Sequence, residues 1–146
     1  MSVTTAMTTS FKQELLQGLH DLDGHTLKLA LIKSGESGTF GAASTNFSNI
    51  TDTSDEASGT GYSSGGATLG SVAITTSGTT AFVDFADVSF SNSTISASGA
   101  MIYNSSASNR AIAVISFGGT VASTAGTFTV TMPAAIKGRK LRFFWE

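Results

Sequence analysis

Residues 94–117 read TISASGAMIYNSSASNRAIAVISF, and this stretch decides the fold class. Thr94–Tyr103 and Arg110–Phe117 are predicted strands, and the polar segment Asn104–Asn109 separates them. Ser and Asn side chains hydrogen-bond their own backbone, and Asn tolerates a positive φ, so the segment has the chemistry of a hairpin loop. The stretch therefore predicts two antiparallel strands joined by a short loop.

The same alternation of strand and turn extends in both directions from this hairpin. Turns are predicted at Thr76–Gly78 and at Gly118–Gly119, because Gly adopts a positive φ without strain. The further predicted strands are Ala67–Thr75, Thr79–Phe85, Gly126–Met132 and Lys140–Trp145. Regularly spaced strands of this kind predict a mainly β fold, an antiparallel β-sandwich of jelly-roll-like type.

The N-terminal third contains the one predicted helix. Residues 1–9 form a polar N-terminal arm, and Ser10–Leu19 is predicted as the helix because its apolar residues share one face. Ser10 and Gln13 have the spacing of a capping box, and Gly18 marks the end. From Thr26 the apolar period changes to two, which predicts a half-buried strand.

Residues 33–58 are predicted as a long loop, with Phe40, Phe47 and Ile50 as its only apolar anchors. Loops of this length are uncommon in a compact domain unless they bind something. The segment is therefore either an arm that becomes ordered against a partner, like residues 1–9, or a hairpin that the pattern does not reveal.

Length and composition restrict the class of protein. The 146 residues fit a single domain, 1–146, and the chain has no Cys, so disulfides and thiolate zinc sites are excluded. Only 12% of residues are charged, whereas the chain contains 22 Ser and 21 Thr. A net charge of −2 gives no general attraction to nucleic acid, and no apolar run is long enough to span a membrane.

Two motifs match catalytic or metal-binding patterns, and their context argues against both functions. Gly61–Gly65 fits the G-x-S-x-G pattern around Ser63, but it lacks the strand before and the helix after that a nucleophile elbow needs. His20–His25 contains four possible metal ligands, but their spacing fits neither the H-E-x-x-H motif nor the calcium-binding loop, so we interpret it as a turn, with a metal site as the minor alternative. No catalytic, cofactor-binding or metal-binding residue is predicted.

The distribution of charge is compatible with packing within one subunit, docking between subunits or contact with an acidic partner, and also with a solvated edge strand that its lysines protect. Four of the eight basic residues lie in residues 137–146, and nine of the ten acidic residues lie between Glu14 and Asp87. Arg and Trp are typical anchors of protein interfaces. The candidate interface residues are Arg139, Lys140, Arg142, Phe144 and Trp145. A terminal strand buried in the core of the subunit explains the same aromatic residues equally well.

The order of several short motifs resembles that of a known class of proteins. These motifs are Ser10–Leu16 with Gly18–Asp21, Leu27–Leu31, Gly59–Tyr62 with Gly65–Gly66, Val83–Phe85, Ala100–Asn104, Arg110–Val114 and Gly126–Val130. Their order and spacing resemble those of small head-associated virion proteins of tailed bacteriophages. The resemblance covers most of residues 10–133 and does not extend to the basic C-terminal segment.

The resemblance implies assembly and not catalysis. It implies a capsid decoration or cement protein, not an enzyme, that binds the outer surface of the head and holds major capsid subunits together. A homotrimer is expected, because decoration proteins often occupy threefold positions. Alternatives are a tail, head-fibre or adaptor component, or a carbohydrate-binding domain of the phage surface; a hydrolase that uses Ser63 is the remaining one.

Overall fold

The computed structural model describes residues 2–132, so the predicted strand Lys140–Trp145 and the candidate interface residues lie outside the described part. Nine strands and two short helices form within these residues. In chain order they are β1 (Ser2–Val3), β2 (Ala6–Met7), α1 (Thr9–Leu16), β3 (Leu27–Lys33), β4 (Thr39–Phe40), α2 (Ser48–Thr51), β5 (Ala67–Thr68), β6 (Ala73–Ser77), β7 (Thr80–Asp84), β8 (Val88–Asn104) and β9 (Arg110–Val130). Within this range, no helix has the length and apolar character needed to cross a bilayer.

The central sheet is antiparallel and has the strand order β2-β9-β8-β3-β5. Its longest ladder joins β8 to β9, from Val88 opposite Val130 to Asn104 opposite Arg110. The predicted hairpin with its polar loop is therefore confirmed. Strands β6 and β7 form a separate hairpin, in which Gly78 has φ 60°, and β1 pairs in parallel with β4. The prediction of a mainly β, antiparallel, sandwich-like fold with one short N-terminal helix is confirmed.

Both faces of β3 are buried, which differs from the predicted half-buried strand. Leu27, Leu29 and Leu31 point into one core cluster with Phe11 of α1. Ile32, on the opposite face, packs in a second cluster with Phe40 and Ile50, the apolar anchors of residues 33–58. The second face is buried because residues 33–58 fold over it.

Residues 33–58 are therefore not a structureless loop, as the sequence predicted. They contain β4 and α2, and one buried carboxylate, Asp55, connects their two ends. Its oxygens accept hydrogen bonds from the backbone N–H groups of Ser37 (2.9 Å) and Gly38 (2.7 Å), and Lys33 Nζ lies 3.3 Å away. Burial opposes ionisation, but these bonds outweigh it and hold the pKa of Asp55 well below its ordinary value.

The helix begins and ends earlier than predicted. The N-cap is Thr8, whose hydroxyl accepts a hydrogen bond from Phe11 N and donates one to Ala111 O. The predicted cap, Ser10, lies inside the helix. Gly18, with φ 72°, ends α1 by leaving the helical backbone, as predicted. Leu16, which the sequence placed on the apolar face of the helix, is 77% exposed.

The predicted turn at Gly118–Gly119 is wrong, since β9 continues through it. Phe117–Thr120 bulge out of the ladder opposite Ser98, and the two glycines have φ 76° and 157°. Their freedom to adopt positive φ is used in a β-bulge and not in a chain reversal. The predicted strand Ala67–Thr75 is also divided, into β5 and β6.

The N-terminal arm is ordered within the chain itself. β1 pairs with β4, and β2 pairs with β9 at Ala113 and Val114. Residues 2–7 therefore complete the subunit's own sheets and do not require a partner for order.

Candidate assembly surface

Many residues of the β8–β9 ribbon between Ser89 and Thr94 and between Gly118 and Thr129 are exposed, and none of the exposed ones is charged. We call this set the ribbon surface. Its exposed residues are Ser89, Ser91, Asn92, Thr94, Gly118, Gly119, Thr120, Val121, Ala122, Thr124, Ala125, Thr127 and Thr129. Most of them are hydroxyl or small apolar residues, and none is Asp, Glu, Lys or Arg.

Strand alternation places the hydroxyls outward. Val88 and Phe90 of β8 are buried and Ser89 between them is exposed, while Phe128 is buried beside exposed Thr129. The hydroxyls of Ser89 and Thr129 lie 3.1 Å apart across the ribbon. At this end of the ribbon one face therefore belongs to the core and the other carries hydroxyl groups. At Val121 and Ala122 adjacent residues are both exposed, so both faces of β9 are open there.

The ribbon surface continues onto an open sheet edge. On the side away from β8, β9 pairs with β2 only at Ala113 and Val114. From Phe117 to Val130, no described residue outside β8 forms a strand pair with β9. An unpaired edge presents backbone N–H and C=O groups to which another chain can add a strand.

Two bulges interrupt this edge. The first is Phe117–Thr120, and the second contains Ala125, which has φ 46° and donates from its N–H to Thr94 Oγ1 at 3.1 Å. Bulges twist an edge and break its regular ladder, so they oppose indiscriminate pairing. The short stretch Val121–Thr124 remains between them, and a partner strand must match this geometry.

The Gly61–Gly65 motif forms a loop that is held by a carboxylate. Glu56 Oε1 accepts hydrogen bonds from Tyr62 Oη (2.9 Å) and Gly65 N, while Oε2 accepts one from Ser64 Oγ (2.8 Å). The motif is followed by β5 and not by a helix. Its residues therefore brace a loop, and they do not build the strand-to-helix elbow that would present Ser63 as a nucleophile.

The two tyrosines near Glu56 connect this loop to the central sheet. Tyr62 Oη accepts a hydrogen bond from Leu31 N at 3.0 Å, and Tyr103 Oη donates one to Gly65 O at 2.6 Å. Burial and the negative charge of Glu56 raise the pKa of Tyr103 to about 12, and burial with the same charge raises that of Tyr62 further. Both phenols therefore stay neutral and act as hydrogen-bonding struts. No spacing rule in the sequence points to Glu56 as their common partner.

The two histidines of the His20–His25 motif share one amide. Asn104, which is fully buried, donates from Nδ2 to Nδ1 of His20 (3.0 Å) and to Nδ1 of His25 (2.9 Å), and its Oδ1 accepts from Ser106 N. The Asn104 Nδ2 group thus uses both hydrogens, one toward Nδ1 of each imidazole. The sequence gives no sign of this contact, since some eighty residues separate the partners.

The other side of His20 faces an ion pair. Glu14 Oε2 accepts from Arg110 Nε at 2.7 Å, and Glu14 Oε1 lies 3.6 Å from His20 Nε2. Burial lowers the pKa of His20, although the charge of Glu14 opposes the shift. Within residues 2–132, no three His, Asp or Glu side chains are grouped so as to hold a metal ion. Glu14, His20, His25, Asn104 and Arg110 form a cluster, which we call the histidine cluster. It joins α1, the following turn and the two ends of the β8–β9 loop.

A comparison of the chain with protein-family models, curated proteins and solved structures found no match.

Proposed function

We propose that this chain is a non-enzymatic virion protein that decorates the outer surface of a tailed-phage head. In this function it stabilises the contacts between major capsid subunits, as the resemblance of its motif order implies. Its partners are the major capsid protein and further copies of itself, with a trimer as the expected state. The proposal involves no cofactor, membrane or nucleic acid.

The observation that carries the proposal is the ribbon surface with its open edge. A broad surface without charge forms no ion pairs with a partner. Covering it costs little free energy of desolvation, because its hydroxyls exchange hydrogen bonds with water for hydrogen bonds with the partner. The edge of β9 adds backbone groups that can pair with a strand of another chain. Such a surface fits an extended protein partner better than a small substrate.

The fixed conformation of two loops supports the same function. Asp55 fixes residues 33–58 and Glu56 fixes Gly61–Gly65 within the isolated chain. Loops that are already ordered lose less conformational entropy when a partner contacts them beside the ribbon surface. Many copies on one shell then gain strength from multivalent attachment.

Co-sedimentation with undecorated phage heads tests the proposal. We expect the wild-type chain to bind heads to saturation at a ratio set by the capsid lattice. A double variant, Val121→Lys with Thr127→Lys, puts two charges on the ribbon surface and is expected to weaken binding by about tenfold or more. The matched control, Thr76→Lys, adds a charge at an exposed position of β6 and is expected to bind as the wild type does.

Two results would contradict the proposal. One is a wild-type chain that does not sediment with heads but binds tails, fibres or a glycan. This result would favour one of the alternative functions, as a tail, head-fibre or adaptor component or as a carbohydrate-binding domain. The other is a double variant that remains folded by circular dichroism and binds as tightly as the control, which would remove the ribbon surface from the interface.

A further inference from the structure

An apolar groove lies between α1 with its following turn and the β6–β7 hairpin. Its volume is about 270 Å³, and six of its eight lining residues are apolar. The apolar ones are Leu15, Leu22, Ile74, Ala81, Phe82 and Val83. Leu22 and Val83 are buried and form the floor, whereas Ile74 at the rim is 53% exposed.

The size of the groove favours a side chain over a small-molecule ligand. Ligand pockets usually enclose about 300–1,000 Å³ and cover most of the ligand. This groove is smaller than that and open on one side, and exposed Leu16 and Leu19 lie on the same segment of chain. One large aromatic side chain with its neighbours fits such a site.

The charge around the groove selects a basic occupant. Asp21 is the acidic residue that lines it, and Asp23 follows in the same turn. Residues 2–132 together have a net charge of −5, whereas residues 133–146 have a net charge of +3.

The chain itself contains a segment with the required chemistry. Residues 137–146 read KGRKLRFFWE and carry four basic side chains beside three aromatic ones. The preceding residue that the structure describes, Met132, donates from its N–H to Asp87 Oδ1 at 2.7 Å. Asp87 is five residues from Phe82 of the groove, at most about 18 Å along the chain, while the thirteen residues from Met132 to Trp145 span up to about 45 Å. The segment is therefore long enough to reach the groove.

We propose that the groove binds the C-terminal segment of the same chain, with Trp145 in the apolar floor and the basic residues beside Asp21 and the turn that contains it. This inference does not depend on the proposed function. A covalently attached segment has a high effective concentration at a site within its reach, which favours the chain's own segment over that of a second copy.

Trp145 is the only tryptophan, so its fluorescence reports on this segment alone. We expect the full chain to show blue-shifted emission and weak quenching by acrylamide, both independent of protein concentration. Ile74→Asp at the rim is expected to shift the emission to the red and raise the quenching constant toward that of the denatured chain. Ser58→Asp, at an exposed position outside both the groove and the ribbon surface, is the matched control and is expected to leave both unchanged.

A cross-link distinguishes the chain's own segment from that of a second copy. Because the chain has no Cys, the pair Ala81→Cys with Glu146→Cys is the only pair of thiols, and we expect it to form a disulfide within one monomer. A disulfide-linked dimer would assign the groove to a second copy and overturn the proposal. So would the absence of any cross-link, emission of an exposed indole in the wild type, or emission that does not respond to Ile74→Asp in a variant that remains folded.

Discussion

The substitution Asp55→Asn tests how residues 33–58 are held in place. The Asp55 carboxylate accepts bonds from the N–H groups of Ser37 and Gly38 and faces Lys33, and the side chain is fully buried. An asparagine of the same shape keeps one acceptor oxygen but turns an NH₂ group toward one of these donors. The change should therefore disrupt the anchor without creating a cavity.

The size of the effect follows from these contacts. A hydrogen bond to a charged group contributes about 1.5–3 kcal/mol, and a donor left buried without a partner adds a desolvation penalty of about 1–3 kcal/mol. The ion pair with Lys33 is half-exposed, so it adds less than about 1 kcal/mol. We expect the free energy of unfolding to fall by about 2–4 kcal/mol, which lowers Tm by about 5–15 °C for a chain of this size.

Denaturant titration and thermal melting followed by circular dichroism measure this loss. Asp52→Asn, at an exposed position of the same segment, is the control and should change stability by less than about 0.5 kcal/mol. Because the pKa of Asp55 is lowered on folding, its stabilisation is present above the unfolded value of 3.8 and is lost as the pH falls through the folded value. The difference in stability between the wild type and Asp55→Asn should therefore begin to shrink below about pH 4 and shrink further as the pH falls toward the folded pKa of Asp55. Equal stability of the two chains at neutral pH would refute the claim that the Asp55 carboxylate holds residues 33–58 in place.

Three further predictions concern His20 in the histidine cluster, the close approach of Gly66 to the backbone of β3, and the N-cap of α1. Because the pKa of His20 is lowered on folding, the unfolded chain binds more protons, so stability should fall as the pH drops below 6.5, by at most about 1.4 kcal/mol per pH unit. His20→Gln should lose this slope in pH-dependent unfolding, and an unchanged slope would assign it to another group. Gly66→Ala should destabilise by about 3 kcal/mol or more in denaturant titrations, since a Cβ there would overlap Leu29 O and φ is +76°; Gly70→Ala, with open space around it, is the control, and equal effects would contradict the reasoning. Thr8→Ala should lower the free energy of unfolding by about 1–2 kcal/mol through loss of the N-cap and of a buried hydroxyl, and a neutral result in the same assay would contradict the cap.

The sequence predicted the features that depend on local chemistry. The β8–β9 hairpin, the turn at Gly78 and the helix end at Gly18 all follow from residues within a few positions of one another. The interval Gly118–Gly119 shows the limit of such rules, because positive φ serves a turn and a bulge equally well. Only the ladder with β8 decides between them.

The remaining features depend on contacts between distant parts of the chain. The burial of Ile32 requires Phe40 and Ile50 to fold over β3, and no period in β3 itself reveals this. The bracing of Gly61–Gly65 by Glu56, and of two histidines by Asn104, likewise joins segments that carry no common motif. The composition of the ribbon surface is visible in the sequence, whereas its open edge is visible only once the strand order is known.

A cryo-electron microscopy reconstruction of undecorated heads incubated with the purified chain tests the decoration function most directly. The account predicts added density on the outer surface at symmetry-related positions, with the β8–β9 ribbon in contact with a neighbouring chain. Heads without added density, or density in which the ribbon surface and the edge of β9 face solvent on every copy, would contradict it.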